Sequence, residues 1–117
     1  MRTRLALVAV VALGGVAGTS GHAATQPVTV RMGDFFFRPG TITVHVGQPV
    51  RFVNVGKIDH TVADTTAGWK TIRSKLIVPR PLSHGQAQTV RFAKPGTVYY
   101  LCTFHPTLMR GKIVVIP

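Results

Sequence analysis

The chain is organised around one stretch, Val98-Tyr-Tyr-Leu-Cys102-Thr-Phe-His105-Pro-Thr-Leu-Met109-Arg-Gly-Lys-Ile-Val-Val-Ile116. The apolar runs at its two ends are rich in β-branched and aromatic residues, and they predict two strands. Between them lies a short loop that carries a thiol, an imidazole and a thioether, from Cys102, His105 and Met109. Cys102 is the only cysteine of the chain. The sequence therefore places three metal-binding side chains on one loop between two strands.

A fourth candidate ligand lies far upstream. His60 begins a short β-prone segment, His60-Thr-Val-Ala63, that predicts a neighbouring strand. Two imidazoles, one thiolate and one weak axial thioether form the ligand set of a blue-copper electron-transfer site. Soft sulfur ligands favour Cu(I), whereas imidazole suits both oxidation states. We therefore predict one type 1 copper ion bound by His60, Cys102 and His105, with Met109 as the axial ligand.

Each of these residues has a commoner explanation when it is taken alone. A lone cysteine is usually a buried, inert residue, and a single histidine usually lies on the surface. A structural zinc site uses several cysteines or histidines and has no need of a thioether. A Cys–His nucleophile is an alternative in principle, but no Gly-rich nucleophile turn or orienting carboxylate accompanies Cys102. His45 and His84 are expected to face solvent, and His84 stays open as an alternative ligand.

Longer motifs resemble one known family. The loop Cys102-Thr-Phe-His-Pro-Thr-Leu-Met-Arg-Gly-Lys112 and the upstream motifs Asp34-Phe-x-Phe-x-Pro39, Val50-x-Phe-Val-Asn54 and His60-Thr-Val62 are similar to those of the cupredoxins, and most of all to the amicyanins, plastocyanins and pseudoazurins. The resemblance implies a Greek-key β-sandwich of about seven or eight strands. It also implies that Thr61 ties the two ligand segments together.

The ligand loop departs from the amicyanin pattern by one residue. Amicyanins have two residues between the second histidine and the methionine, whereas this chain has three, Pro106-Thr-Leu108. If Met109 is the axial ligand, the loop must absorb the additional residue between Pro106 and Leu108. The sequence Arg110-Gly111 directly after Met109 preserves the start of the last predicted strand.

Period-two patterns and turn residues predict the remaining strands. In Thr41-Ile-Thr-Val-His-Val46, we expect Ile42, Val44 and Val46 to face inward. A strand is predicted over residues 86–93, with Ala87, Thr89 and Phe92 facing inward, and two of the three phenylalanines 35–37 are expected in the core. Asp64 to Pro81 has no clear period, so a short helix from Trp69 to Leu76 and a crossing loop both stay open.

The N-terminal segment resembles a secretory signal peptide. Met1-Arg-Thr-Arg4 is basic, Leu5 to Val16 is apolar, and Ala17 to Ala24 is small and polar, which are the three regions of such a peptide. The apolar part is too short to cross the roughly 30 Å hydrocarbon core of a membrane as a helix. We therefore predict cleavage near Ala23 or Ala24. Residues 24–117 then form a single exported domain, periplasmic or at the cell surface, with no membrane insertion.

The charge balance indicates the chemistry of a partner. The chain has 14 Lys and Arg, only three Asp and Glu, and a formal net charge of +11. Such basicity often indicates nucleic-acid binding, but the export segment and the lack of a nucleic-acid motif argue against it. Attraction to an acidic redox partner fits better. We expect a monomer.

Two functions follow from these predictions. The first is a small one-electron carrier, in which the resemblance implies that electrons pass through His105 within an apolar patch of Phe104, Pro106 and Leu108. The second is a copper carrier or scavenger that uses the same ligands without a redox role. An oxidase would need further copper ligands in His-x-His pairs, which the sequence lacks, so we do not expect an enzyme.

Overall fold

A computed structural model of the chain describes residues 25–117, and the predicted signal segment lies outside the described residues. Within this range the chain forms β1 (Val28–Gly33), β2 (Phe36–Arg38), β3 (Thr41–His45), β4 (Val50–Asn54), β5 (Ala63–Thr65), β6 (Ala87–Val90), β7 (Gly96–Leu101) and β8 (Arg110–Ile116), with one 3-10 helix at Ala67–Trp69. None of the helical segments in residues 25–117 has the length and apolarity needed to span a bilayer. The predicted all-β fold is confirmed.

The strands form two four-stranded sheets. The first has the order β2-β1-β4-β6 and the second has the order β3-β8-β7-β5. The pairs β1–β4 and β3–β8 are parallel, whereas the other pairs are antiparallel. Parallel neighbours need a crossover connection, and here the chain crosses from one sheet to the other between them. This topology places the end of β7 and the start of β8 at the centre of the second sheet.

The core lies between the two sheets and follows the period-two alternation of the strands. Ile42 and Val44 of β3 are buried and Thr41, Thr43 and His45 are exposed, as predicted. Both sheets supply fully buried aliphatic and aromatic side chains: Val30, Met32, Val50, Phe52, Tyr100 and Ile113. The ring of Tyr100 packs edge-on against Phe37 and Phe52, with centroid distances of 4.8 and 5.2 Å.

The predicted inward face of β6 is wrong. Gln88 is buried, whereas Thr89 is exposed and Ala87 is half-buried. Gln88 lies opposite Phe52 in the register, and its Nε2 donates to the carbonyl oxygen of Val78 at 2.8 Å. An amide with a hydrogen-bond partner can occupy a buried position. A prediction from residue polarity alone therefore chose the wrong face of β6. Phe92 is buried as predicted.

Two further predictions differ from the structure in detail, and the structure decides a third point that the sequence left open. Only Phe37 of the three phenylalanines is buried, because a two-residue turn at Asp34 and Phe35 turns the chain before β2. Val46 is 36% exposed because β3 ends at His45. The segment after β5 is a loop with one 3-10 helix at Ala67–Trp69, so the crossing-loop alternative holds.

Candidate metal centre

Backbone hydrogen bonds close the loop that joins β7 to β8. Cys102 directly follows β7, and Met109 directly precedes β8. The amide of Cys102 donates to the carbonyl of Met109 at 3.0 Å, and the amide of His105 donates to the carbonyl of Cys102 at 3.2 Å. The amide of Met109 in turn donates to the carbonyl of His105 at 3.0 Å. The loop therefore holds the three predicted ligands next to one another.

His60 lies in the segment that joins β4 of the first sheet to β5 of the second. Its backbone pairs with that of Leu82 through two hydrogen bonds of 3.1 and 2.8 Å. The side-chain amide of Asn54 donates to the carbonyls of Ile58 and Leu82, at 2.8 and 2.7 Å. These bonds fix the segment that precedes His60, although His60 itself forms an isolated bridge and β5 begins only at Ala63.

The side chains of His60 and Cys102 meet in the interior. Both residues are fully buried, as is Met109, and Nδ1 of His60 lies 4.0 Å from Sγ of Cys102. Nitrogen and sulfur ligands bind metal ions such as zinc at about 2.0 and 2.3 Å, so two of them on one ion lie no more than about 4.3 Å apart. The two atoms therefore fit a single metal ion between them.

His105 lies beside this pair. It is half-buried, and its ring centroid is 5.5 Å from that of His60. Its Nε2 is buried and has no hydrogen-bond partner within the described range, and such an orphaned atom calls for an explanation such as an ion. In residues 25–117, no three His, Cys, Asp or Glu side chains converge as a ready-made metal site. The structure thus brings His60 and Cys102 together and places His105 and Met109 next to them.

Thr61 links the two ligand segments, as the family resemblance implied. Its amide donates to Sγ of Cys102 at 3.4 Å, and its hydroxyl oxygen accepts the amide hydrogen of Thr103 at 2.8 Å. Hydrogen bonding around a cysteine sulfur is one of the features that tune the reduction potential of a copper–thiolate site. Thr61 therefore both fixes the loop and contacts the sulfur atom.

Two neighbours of the histidines were missed by sequence reasoning. Nε2–H of His60 donates to Oδ1 of Asp34 at 2.8 Å, and the ring of Phe35 lies edge-on to that of His105 at a centroid distance of 4.8 Å. Hydrogen bonds from the backbone of Lys57 and from His60 lower the pKa of Asp34. In the sequence, Asp34 and Phe35 contribute to the family resemblance, but nothing there indicates that they contact the histidines.

The two other histidines of the described range lie away from the pair. His45 is exposed on β3, and its Nδ1 is 3.0 Å from the carbonyl oxygen of Pro117. His84 is exposed, and its Nδ1 donates to the carbonyl oxygen of Gly56 at 2.7 Å. The expectation that both histidines lie at the surface is confirmed.

A family comparison agrees with this geometry. The family model of copper-binding proteins of the plastocyanin/azurin type matches residues 24–116. The chain belongs to the plastocyanin/azurin family of copper-binding proteins. The cupredoxin is 34% identical over 119 residues to the copper-resistant cuproprotein CopI of Rubrivivax gelatinosus, covering 84% of this chain and 72% of that protein. It is 29% identical over 86 residues to amicyanin-alpha of Methylorubrum extorquens, covering 74% of this chain and 69% of that protein.

Solved structures show the same fold. A purple cupredoxin from Nitrosopumilus maritimus superposes with a TM-score of 0.69 at 23% identity, over 75% of this chain and 98% of that one. A copper-containing nitrite reductase from Thermus scotoductus superposes with a TM-score of 0.65 at 30% identity, over 78% of this chain but only 22% of that one. The cupredoxin therefore shares its fold with a small copper protein and with part of a larger enzyme.

Proposed function

We propose that this cupredoxin is an exported one-electron carrier whose copper ion is bound by His60, Cys102, His105 and Met109. The observation that carries the proposal is the buried pair of His60 and Cys102, whose Nδ1 and Sγ atoms are 4.0 Å apart, beside a half-buried His105. When bound, copper supplies the one-electron change between Cu(II) and Cu(I) with this mixed nitrogen and sulfur ligand set.

The residues of the chain contribute rigidity and exclusion of water. Cys102, His60 and Met109 are fully buried, and the loop that carries two of them is closed on itself by backbone hydrogen bonds. Thr61 fixes this loop against the segment of His60. Groups held in this way keep their positions when the charge of the ion changes, which reduces the rearrangement that accompanies electron transfer.

The surface around His105 suits a transient partner. Phe104 and Leu108 are 50% and 68% exposed on the ligand loop, and Pro106 lies exposed between them. Small, partly apolar contacts are typical of weak redox complexes. The positive charge of the chain would speed the encounter with an acidic partner protein. We propose that the carrier works as a monomer in the periplasm or at the cell surface, rather than as an enzyme.

The proposal is tested by the optical spectrum of the copper-loaded protein. A thiolate bound to Cu(II) should give a strong charge-transfer band in the visible region, and Cys102→Ser should remove this band. Thermal unfolding of the metal-free variant serves as the control for folding. A variant that folds and keeps the band would rule out Cys102 as the ligand, and a wild-type protein without the band would rule out the type 1 site.

A second candidate function is copper handling in copper resistance, because a relative with 34% identity is a copper-resistant cuproprotein. Repeated oxidation and reduction in the presence of a competing chelator separates the two functions. A carrier should keep its copper ion in both oxidation states through many cycles. A scavenger should instead release the ion readily in one of the two states.

A further inference from the structure

The turn between β1 and β2 contacts both candidate histidine ligands. Nε2–H of His60 donates to Oδ1 of Asp34 at 2.8 Å, and the ring of Phe35 lies 4.8 Å from that of His105 and 6.4 Å from that of His60. These two residues make up the whole turn, since Gly33 and Phe36 pair directly. A single two-residue turn is therefore the common neighbour of the two imidazoles.

The carboxylate of Asp34 is held in place by other bonds. The amide of Lys57 donates to both of its oxygens, at 2.9 and 3.1 Å, and the amide of Ile58 donates to Oδ1 at 3.4 Å. A Cβ atom at Gly56 would collide with Oδ1 of Asp34, so a glycine is required for this close approach. A carboxylate anchored by two amides and His60 is fixed in position, although Asp34 is only partly buried.

The backbone of the turn is strained at Phe35, whose ring contacts both histidines. Phe35 has a φ of 92°, in the left-handed region that aromatic residues rarely adopt. Strained residues persist where the surrounding structure determines their conformation, and they are concentrated at functional sites. The strain at Phe35 is consistent with a turn whose shape is set by the groups that it must place.

The hydrogen bond determines which nitrogen of His60 is free. An ionised carboxylate only accepts hydrogen bonds, so the proton of the neutral ring lies on Nε2. The lone pair then lies on Nδ1, which is the nitrogen that faces Sγ of Cys102 at 4.0 Å. Carboxylates that accept from the second nitrogen of a metal-bound histidine fix its tautomer and raise its basicity.

We infer that Asp34 is a positioning residue of the copper site, which holds His60 in the tautomer and orientation that present Nδ1 to the metal. The inference rests on the proposed copper site, and it adds a residue that acts through His60 without binding the metal. Because a nearby negative charge and a more basic imidazole both favour the higher oxidation state, Asp34 should stabilise Cu(II) more than Cu(I).

The first test uses the metal-free protein. Nitrogen-15 NMR of the His60 ring at alkaline pH reports which nitrogen carries the proton. The wild type should show the proton on Nε2 alone, whereas Asp34→Ala should show a mixture of tautomers. An Asp34→Ala variant with the wild-type tautomer would overturn the inference. If Asp34→Ala fails to fold, Asp34→Asn replaces it, because its amide oxygen can still accept from the amide of Lys57. A His60 ring with the same nitrogen-15 shifts and the same tautomer as in the wild type would then overturn the inference.

The second test compares copper affinities. Loss of such a partner typically costs about 10- to 100-fold in metal affinity, so Asp34→Asn should bind Cu(II) at least about tenfold more weakly relative to Cu(I). Each tenfold change raises the reduction potential by about 59 mV. The matched control is Asp59→Asn, which removes the same charge from an exposed residue adjacent to His60 in the chain. Among the described residues no hydrogen bond joins Asp59 to His60.

Comparison of the two variants distinguishes the hydrogen bond between Asp34 and His60 from the effect of negative charge alone. A much larger rise in potential for Asp34→Asn than for Asp59→Asn supports the positioning role. Equal rises would reduce Asp34 to one charge among several and overturn the inference. Failure of the wild type to bind copper would instead contradict the proposed function, while the NMR measurement on the metal-free protein would still decide the role of Asp34.

Discussion

At the scale of single residues, the three-residue spacing before Met109 is absorbed by a tight turn. The carbonyl of His105 accepts hydrogen bonds from the amides of both Leu108 and Met109, at 3.2 and 3.0 Å. The additional residue therefore stays within the turn, and Met109 is fully buried next to Cys102. This arrangement is compatible with the axial role that the sequence predicts for Met109, which stays a prediction.

We expect Met109→Leu to raise the reduction potential without abolishing copper binding. An axial thioether is a weak, long bond that tunes the potential, and its small donation favours Cu(II). The three other ligands carry most of the affinity. Cyclic voltammetry at one pH measures the shift. Met32→Leu is the matched control, because Met32 is equally buried but lies on β1. Equal potentials for the wild type and Met109→Leu would show that the thioether does not bind.

The candidate ligands can be proposed from the sequence, whereas their neighbours cannot. Cys102, His105 and Met109 lie on one loop, so their chemistry can be recognised locally. Asp34 precedes His60 by 26 residues, and no local pattern relates an aspartate in a turn to a distant histidine. Two of the three phenylalanines 35–37 were expected in the core, but alternation could not tell which, and the turn places Phe35 at the surface beside His105.

At the scale of secondary structure elements, a large side chain on β7 lies opposite a glycine on β8. Tyr100 pairs with Gly111 across the two strands, and a Cβ atom at Gly111 would collide with the hydroxyl group of Tyr100. The hydroxyl group is buried with no hydrogen-bond partner in the described part of the chain. Burial raises the pKa of Tyr100, so its side chain is neutral at physiological pH.

We expect Gly111→Ala to lower the free energy of unfolding by about 1–3 kcal/mol, because overpacking a filled core costs about that much. Tyr100→Leu removes both the hydroxyl group and the ring edge that the new methyl group would meet, so the loss caused by Gly111→Ala should be smaller in the double variant. Chemical denaturation of the four metal-free proteins measures the coupling. Gly40→Ala is the control, since its nearest neighbour would be a backbone oxygen at 3.9 Å. Additive effects at positions 100 and 111 would contradict the steric explanation.

The buried face of a strand followed from alternation where its buried residues were apolar, as in β3. The two faces of β3 were predicted correctly as far as His45, because apolar and polar residues alternate along it. Those of β6 were not, since its buried residue is Gln88, and the carbonyl of Val78 that accepts from its Nε2 lies in an irregular loop. Hydrogen-bond partners of this kind are supplied by tertiary structure, and a pattern of polarity along one strand carries no information about them.

At the scale of the whole molecule, a small domain depends on its ligand. Domains of about 93 residues bury a limited share of their surface, and a chain with one cysteine has no internal disulfide. Copper should therefore raise the melting temperature. Binding to the folded state alone adds about 2.7 kcal/mol to the free energy of unfolding when the free copper concentration is 100 times Kd. Thermal unfolding with and without stoichiometric copper measures the effect. Cys102→Ser should show a much smaller shift, and a wild type that melts at one temperature in both conditions would contradict the prediction.

The position of β8 determines when the second sheet can form during synthesis of the chain. β8 is the last of the described strands in the chain, yet it lies between β3 and β7 in the second sheet, where it pairs in parallel with residues about seventy positions earlier. A nascent chain that stops short of Ile116 cannot complete that sheet, whichever strands have already emerged from the ribosome. Pairings so distant in sequence also form slowly. The two-sheet domain should therefore remain incomplete until synthesis has passed β8, and an incompletely folded chain is a state that a translocation channel for unfolded chains can accept.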